Sequence, residues 1–262
     1  MLSGLKNHPF PVEAFFKQSL VLTFAVPKAE LERLIPECLQ LDTFKDEWAF
    51  VAVAMVQTSG LRPKGWPGIF GSDFFLIGYR VFVTYRTRAG KRLRGLYILK
   101  SETDKRRMQF FGNLFTHYHY STTDIKQTGH SIRSVGSGLV VEISPDEKEI
   151  HLPDGSPFAD WKEARRYAGP LPFTFSYEKS AGSGRGAGSA ERGTGSAGRR
   201  AGLVTIIEGV RENWEPRPVK VKEYRVAFIE HLQLSQVRLA NAFVIENIPY
   251  YWKKGKTELW NH

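Results

Sequence analysis

Cysteine is almost missing from this chain: Cys38 is the only one in 262 residues. No internal disulfide can form, so nothing in the sequence asks for an oxidising compartment, and paired CxxC metal motifs are excluded with it. A cytoplasmic location is the default expectation. Long apolar runs are missing too. The N-terminal stretch MLSGLKNHPFPVEAFFKQSLVLTFAV interrupts its apolar residues with Pro, Glu, Lys and Gln, and its one compact run, Leu20 to Val26, is too short for a signal core. Neither a secretion signal nor a transmembrane helix is expected, and no membrane partner. Also lacking are a GxSxG elbow, a Walker loop and HExxH, and no repeat recurs at a solenoid or propeller period. The common hydrolase, nucleotide-dependent and zinc-protease classes lose their support, and no cofactor is expected.

Charge is present in excess, but it is unevenly placed. Lys and Arg outnumber Asp and Glu by 37 to 27, a formal net charge of +10. The segment Lys179 to Gly202, KSAGSGRGAGSAERGTGSAGRRAG, holds five cations against the single acid Glu191, so four of the ten excess charges sit there. Its Gly, Ser, Ala and Arg composition has no apolar periodicity and predicts a flexible insertion loop (179–202) within one domain spanning 1–262. Such a loop could touch nucleic acid by counterion release. With no helix-turn-helix, zinc-finger or RNA-recognition signature beside it, a solvated insertion is the stronger reading and a nucleic-acid partner is disfavoured.

The rest of the pattern is mostly that of strands. Ser19 to Val26, Trp48 to Val56, Phe74 to Tyr85, Arg92 to Ser101, His117 to Ile125, Gly138 to Ile143, Phe173 to Tyr177, Leu203 to Val210, Val219 to Phe228 and Ala242 to Glu246 are rich in Val, Ile, Phe and Tyr, several with period-two alternation. The turn Arg88-Ala89-Gly90-Lys91 predicts a hairpin. Three short helices are expected: Pro27 to Ile35, a segment capped by Thr103 or Asp104 and running through Leu114, and one in Pro157 to Tyr167 around FADWKEARRY, ending at Gly169. Strands in such excess predict a mainly β, β-rich α+β domain: a large curved or closed, mostly antiparallel, barrel-like sheet decorated by a few helices.

Candidate chemistry concentrates in Arg94 to Tyr120. Lys100 ends a strand, and a lysine whose pKa is lowered there could form a Schiff base with a carbonyl substrate. Glu102, on the same face of the strand two residues on, would instead pair with it, which makes a strand-end ion pair the simpler reading. His117 and His119, spaced HxH in a predicted strand, would share a face, with Tyr118 and Tyr120 on the other. Two imidazoles do not complete a metal site; a third ligand would have to be Glu208, His231 or Glu246, so no metal is expected. Trp48, Phe50, Trp66, Phe70, Phe74, Phe75, Tyr79, Phe82, Tyr85 and Tyr97 would line the interior of a closed sheet in part, with Arg80 or Arg86 as anchor for a ligand carboxylate. Tyr250, Tyr251 and Trp252 are expected to pack on the sheet rather than to stack on bases.

The blocks GLYILKSETDKRRMQFFGNLFTHYHYSTTDI, FVAVAMVQTSGLRPKGWPGIFGSDFFLIGYRVFVTY, PFTFSYE, IIEGVRENWEPRPV and NIPYYWKKGK together resemble the YqjF-like family, a domain of unknown function grouped with the acetoacetate decarboxylase-like fold. The resemblance runs from about Phe16 to Lys256, with the Gly/Ser/Arg loop as an insertion. It implies a barrel-like domain with a central cavity. In acetoacetate decarboxylases a Schiff-base lysine stands directly beside a second lysine. Here Lys100 stands between Leu99 and Ser101, and the adjacent pair Lys253-Lys254 belongs to the C-terminal segment, so no catalytic lysine carries over. The leading expectation is a small-molecule-binding domain, with Arg80, Tyr97, His117, His119 and Glu208 as ligand contacts. The alternative is a lyase-like enzyme on a keto acid, with Lys100 as nucleophile and Glu102 or Glu208 handling protons. Self-association into a homo-oligomer is compatible with either.

Overall fold

The computed structural model describes residues 3–144, 150–179, 201–211 and 214–261. Most of the expected Gly/Ser/Arg loop, 180–200, lies outside the described residues. Seven strands organise the domain: β1 (Val12–Pro27), β2 (Trp48–Pro63), β3 (Ser72–Arg86), β4 (Arg92–Thr103), β5 (Phe173–Lys179), β6 (Ala201–Arg211) and β7 (Arg238–Trp252). They pair in the order β7-β1-β2-β3-β4-β5-β6, and β6 pairs again with β7 through Gly209↔Trp252, Val210↔Tyr251 and Arg211↔Tyr250. The pairings therefore run round a ring. All are antiparallel except β4 with β5. The β3–β4 hairpin turns at Gly90, whose φ of 80° suits a residue without Cβ, and Gly90 N donates to Thr87 O.

Each long strand divides its residues between two apolar layers. On one face Leu20, Leu22, Val53, Met55, Ile77, Tyr79, Phe175 and Val204 pack together with Ile132, Leu139, Val141 and Ile143. The last four come from a smaller antiparallel sheet built by Lys220–Val226, Leu139–Ser144, Ser131–Ser134 and Lys126–Thr128. On the other face Val21, Phe50, Ala52, Ala54, Phe82, Leu96 and Phe243 pack around the helix Trp161–Ala168. That helix, expected over Pro157 to Tyr167, begins four residues later at Trp161, where Asp160 accepts from Glu163 N at 2.7 Å and Glu163 accepts from Ala159 N at 2.8 Å. Its Ala164 and Ala168 are fully buried, small enough to seat the helix on the sheet.

Two expected elements differ. Pro27 to Ile35 is a four-residue helix, Lys28–Leu31, that tightens into a 3-10 turn over Glu32–Leu34. The second helix, α1 (Arg106–Phe115), has no side-chain cap, because Thr103 still belongs to β4 and Asp104 accepts from Phe75 N instead. No helix among the described residues is long and apolar enough to cross a membrane.

Candidate functional site

A cavity of about 680 Å³ opens on the second of these faces, and every strand of the ring contributes to its wall. Val21, Ala54, Phe82, Leu96, Ile98 and Phe243 make much of that wall apolar. The formally charged groups that line it are of one sign. Arg62, Arg80, Arg107 and Arg211 line it with the exposed Lys64, alongside Tyr118, Tyr120 and Tyr250, and no aspartate or glutamate among the described residues does.

Arg80 is the innermost of these cations by its electrostatics. Burial lowers its pKa from the ordinary arginine value, Tyr250, Tyr120 and Tyr118 act in the opposite sense, and Arg211 adds to the lowering. The guanidinium nonetheless stays charged, since arginine does not lose its proton in proteins. Its residue keeps some accessible surface although it is deeply enclosed, because the surface it keeps faces the cavity. Its Nε has no hydrogen-bond partner among the described residues. The preceding glycine on the same face makes room for it: a Cβ at Gly78 would stand 2.9 Å from Arg80 Nε and 3.0 Å from its Nη2.

Tyr118 and Tyr120 come from the turn after α1 and the short strand Tyr120–Thr122, which pairs in parallel with β4. Burial pushes both phenols up, Tyr120 to about 12 while Arg80 holds it back, so both are protonated donors at neutral pH. Gly112 of α1 lets the Tyr120 ring approach, since a Cβ there would come within 2.3 Å of that ring. His8 also reaches the cavity. It is buried, burial lowers its pKa to about 4 despite backbone hydrogen bonds that raise it, and its Nδ1 has no hydrogen-bond partner among the described residues. Neutral His8, the phenols and the arginines form a site rich in donors and free of carboxylates. It can hold an anion against an apolar wall.

Of the seven residues put forward from the sequence as catalytic or ligand-binding, Arg80 alone lines this cavity, and of the ten aromatics expected to line the interior in part, Trp66, Phe70, Phe74 and Phe82 do. Lys100 and Glu102 project from the opposite face of β4. Lys100 Nζ lies 2.6 Å from Glu102 Oε1, Tyr79 donates to Glu102 Oε2 at 2.8 Å, and the ammonium sits 5.7 Å from the Phe228 ring centre. Tyr97 packs in the first apolar layer, where burial raises its phenol. Glu208 is paired with Lys253 at 2.9 Å. Arg86 is exposed at the end of β3.

The strand expected over His117 to Ile125 is the principal local correction. Residues 116–119 are not strand, and His119 takes a positive φ of 52°, which breaks the extended geometry that would align the two imidazoles. His117 Nε2 meets Asn7 Oδ1 at 3.3 Å and burial lowers its pKa, whereas His119 is exposed. No group of three or more His, Cys, Asp or Glu among the described residues could hold a metal ion. What the sequence pattern signalled in this segment was the partner set, Tyr118 and Tyr120, placed away from the histidines. His8 and Arg211 carried no such signal, lying respectively in a left-handed loop position and at a strand end.

Among solved structures the chain is similar to acetoacetate decarboxylase from Legionella pneumophila, with 11% identity, a TM-score of 0.56, and coverage of 97% of this chain and 89% of that one. It is similar also to an acetoacetate decarboxylase-like enzyme from Sphingomonas wittichii RW1, at 12% identity, a TM-score of 0.52 and coverage of 97% and 94%. A third, the enduracididine biosynthesis enzyme MppR complexed with the condensation product of pyruvate and imidazole 4-carboxaldehyde, shows 10% identity and a TM-score of 0.52, covering 96% and 89%. At such identities the likeness is one of fold. No curated protein matches the sequence. The model of DUF2071, an uncharacterized conserved protein (COG2071), matches residues 14–166, more than half of the chain and all of β1 to β4 but the first two residues of β1, so that the chain belongs to this family and carries it on an acetoacetate decarboxylase-like fold.

Proposed function

We propose that this domain binds a small molecule with an apolar body and an anionic head of the carboxylate type, seated in the cavity with its head at Arg80. One observation carries the reading: five cations and three phenols line a largely apolar cavity that no described carboxylate enters. A planar guanidinium is matched to a carboxylate, which accepts two parallel N–H bonds and would neutralise a charge that burial has made costly. The similar fold of MppR, complexed with a product of pyruvate, is in keeping with a carboxylate-bearing ligand. Schiff-base chemistry at Lys100 receives no such support, because its ammonium is held by Glu102 across the sheet from the cavity.

The test is a thermal-shift and calorimetric panel of aliphatic, aromatic and keto carboxylates, each beside its neutral amide. Carboxylates should stabilise the protein; a ligand at a hundred times its dissociation constant adds about 2.7 kcal/mol. The amides should not, and Arg80→Met should abolish the difference. Equal response to acid and amide, or full carboxylate binding by Arg80→Met, would refute the assignment.

A further inference from the structure

Two segments far apart in sequence border the same cavity, and both expose large apolar side chains. From the turn between β2 and β3 come Trp66, Ile69 and Phe70, 54%, 86% and 49% exposed; from α1 come Phe110 and Phe111, 64% and 41% exposed. These five are nearly half of the eleven exposed large hydrophobics of the described chain. Trp66, Phe70 and Phe111 all line the same cavity, the Trp66 and Phe70 rings are 5.4 Å apart with Ile69 beside Phe70 in the chain, and the Phe110 and Phe111 rings are 5.3 Å apart, so both clusters border one cavity. Water-facing aromatic and branched side chains gathered at one place mark a contact surface.

The charges set among them indicate what it contacts. Arg62, Lys64 and Arg107 line the mouth, and Lys105 and Arg106 stand at the start of α1. Three acids lie near: Glu13 is paired with Arg62 at 2.7 Å, Asp104 with Lys105 at 3.0 Å, and Asp73 accepts from Gly60 N. Five cations against three acids leave a positive surplus of two, with Lys64, Arg106 and Arg107 in no salt bridge to these acids. Aromatic and aliphatic side chains interspersed with cations are what a protein presents to the headgroup layer of an anionic bilayer. The rings enter the acyl boundary and the cations meet lipid phosphates.

We infer that the rim formed by residues 64–71 and α1 docks on an anionic phospholipid surface with the cavity mouth facing the lipid. The expectation of no membrane partner rested on runs of apolar sequence. A surface assembled from two short segments leaves no such run, and peripheral docking needs none. The docking is independent of what fills the cavity, so it can fail while the carboxylate reading stands.

The test uses full-length protein and sedimentation with vesicles of phosphatidylcholine alone or mixed equally with phosphatidylglycerol. Binding should be strong on the mixed vesicles, weak on phosphatidylcholine, and weakened by salt. Ile69→Ser with Phe110→Ser, which removes two apolar side chains outside the cavity wall, should cut binding about tenfold or more while unfolding stays at the wild-type temperature. Arg106→Glu should lower binding to the mixed vesicles alone. The inference is overturned if wild type binds neither vesicle, or if the double serine variant binds as well as wild type. It is overturned equally if ultracentrifugation shows a wild-type dimer that this variant converts to monomer, since a second copy would then own the rim.

Discussion

Replacing Arg80 by methionine should make the unliganded protein more stable, and this outcome separates a binding residue from a structural one. Burial strips the guanidinium of part of its hydration and lowers its pKa, and its Nε has gained no partner among the described residues in return. The cost of enclosing one ion is several kcal/mol before compensation. Water can repay some of it, because 680 Å³ holds roughly 20 molecules at about 30 Å³ each. The neighbouring Tyr118, Tyr120 and Tyr250 repay more. Methionine follows the same aliphatic path, leaves the Gly78 side of the wall undisturbed and needs no hydration. A net gain of about 1–3 kcal/mol is expected, within the range measured when enclosed charges are replaced by apolar residues of similar size. For a chain of this size that raises the melting temperature by roughly 2–4 °C per kcal/mol. Urea and thermal unfolding at neutral pH, without ligand and with the urea slope checked for constancy, measure it. Arg80→Lys, which keeps the charge but not the planar fork, should leave stability near wild type. If Arg80→Met is instead destabilised by more than about 1 kcal/mol, the arginine holds the wall together, and its unfilled donors are no argument for a ligand.

Two further outcomes follow from the same geometry. His8 is buried with a pKa of about 4, against about 6.5 in an unfolded chain, so the unfolded state takes up the proton first as pH falls. Its contribution is fully present above pH 6.5 and is lost between there and pH 4, up to about 3 kcal/mol. His8→Asn, which tolerates the left-handed backbone at this position, should flatten the urea stability profile over that window, and an unchanged slope would contradict the burial argument. Lys100→Met should leave carboxylate binding intact. It should cost stability by about 1 kcal/mol, at the low end for a broken pair because the lysine is 36% exposed, with Glu102 still held by Tyr79. Borohydride with a keto acid should trap no adduct on Lys100 in the wild-type protein, and mass-spectrometric detection of one would restore the Schiff-base mechanism.

Much of the architecture could be read from periodicity because the long strands bury both faces and so select β-branched and aromatic residues along their whole length. Trp48–Pro63 and Ser72–Arg86 are of this kind, and so is the hairpin that Gly90 turns. Legibility failed where local chemistry was weak. Residues 116–119 alternate like a strand, yet only three residues after them pair with β4, and a left-handed residue at position 119 takes the chain between. The C-terminal strand Lys256–Asn261 was invisible for the opposite reason: its apolar residues Leu259 and Trp260 fall on opposite faces among Lys, Thr, Glu and Asn and make no apolar stripe, and backbone pairing to β6 holds it.

The candidate site turned on a smaller feature still, one residue in β4. Strict alternation carries Leu96, Ile98, Lys100 and Glu102 on a single face, which would bring the lysine and the glutamate into the cavity with Arg80 and make the Schiff-base reading attractive. The observed register does otherwise. Arg80 pairs with Ile98 but Tyr79 pairs with Lys100, so Leu99 is an extra residue in β4 and the strand changes phase there. Beyond this bulge Ser101 enters the cavity wall, while Lys100 and Glu102 turn to the opposite layer beside Tyr79. Composition is unaffected by such a shift, and so is any count of charged residues at a strand end. Arg80 escaped the ambiguity because β3 stays in phase through the stretch that faces the cavity, with Leu76, Arg80 and Phe82 all on its wall. The cation that a ligand carboxylate would meet is thus the one on the regular strand, and the cation that looked nucleophilic is turned away by a single unpaired leucine.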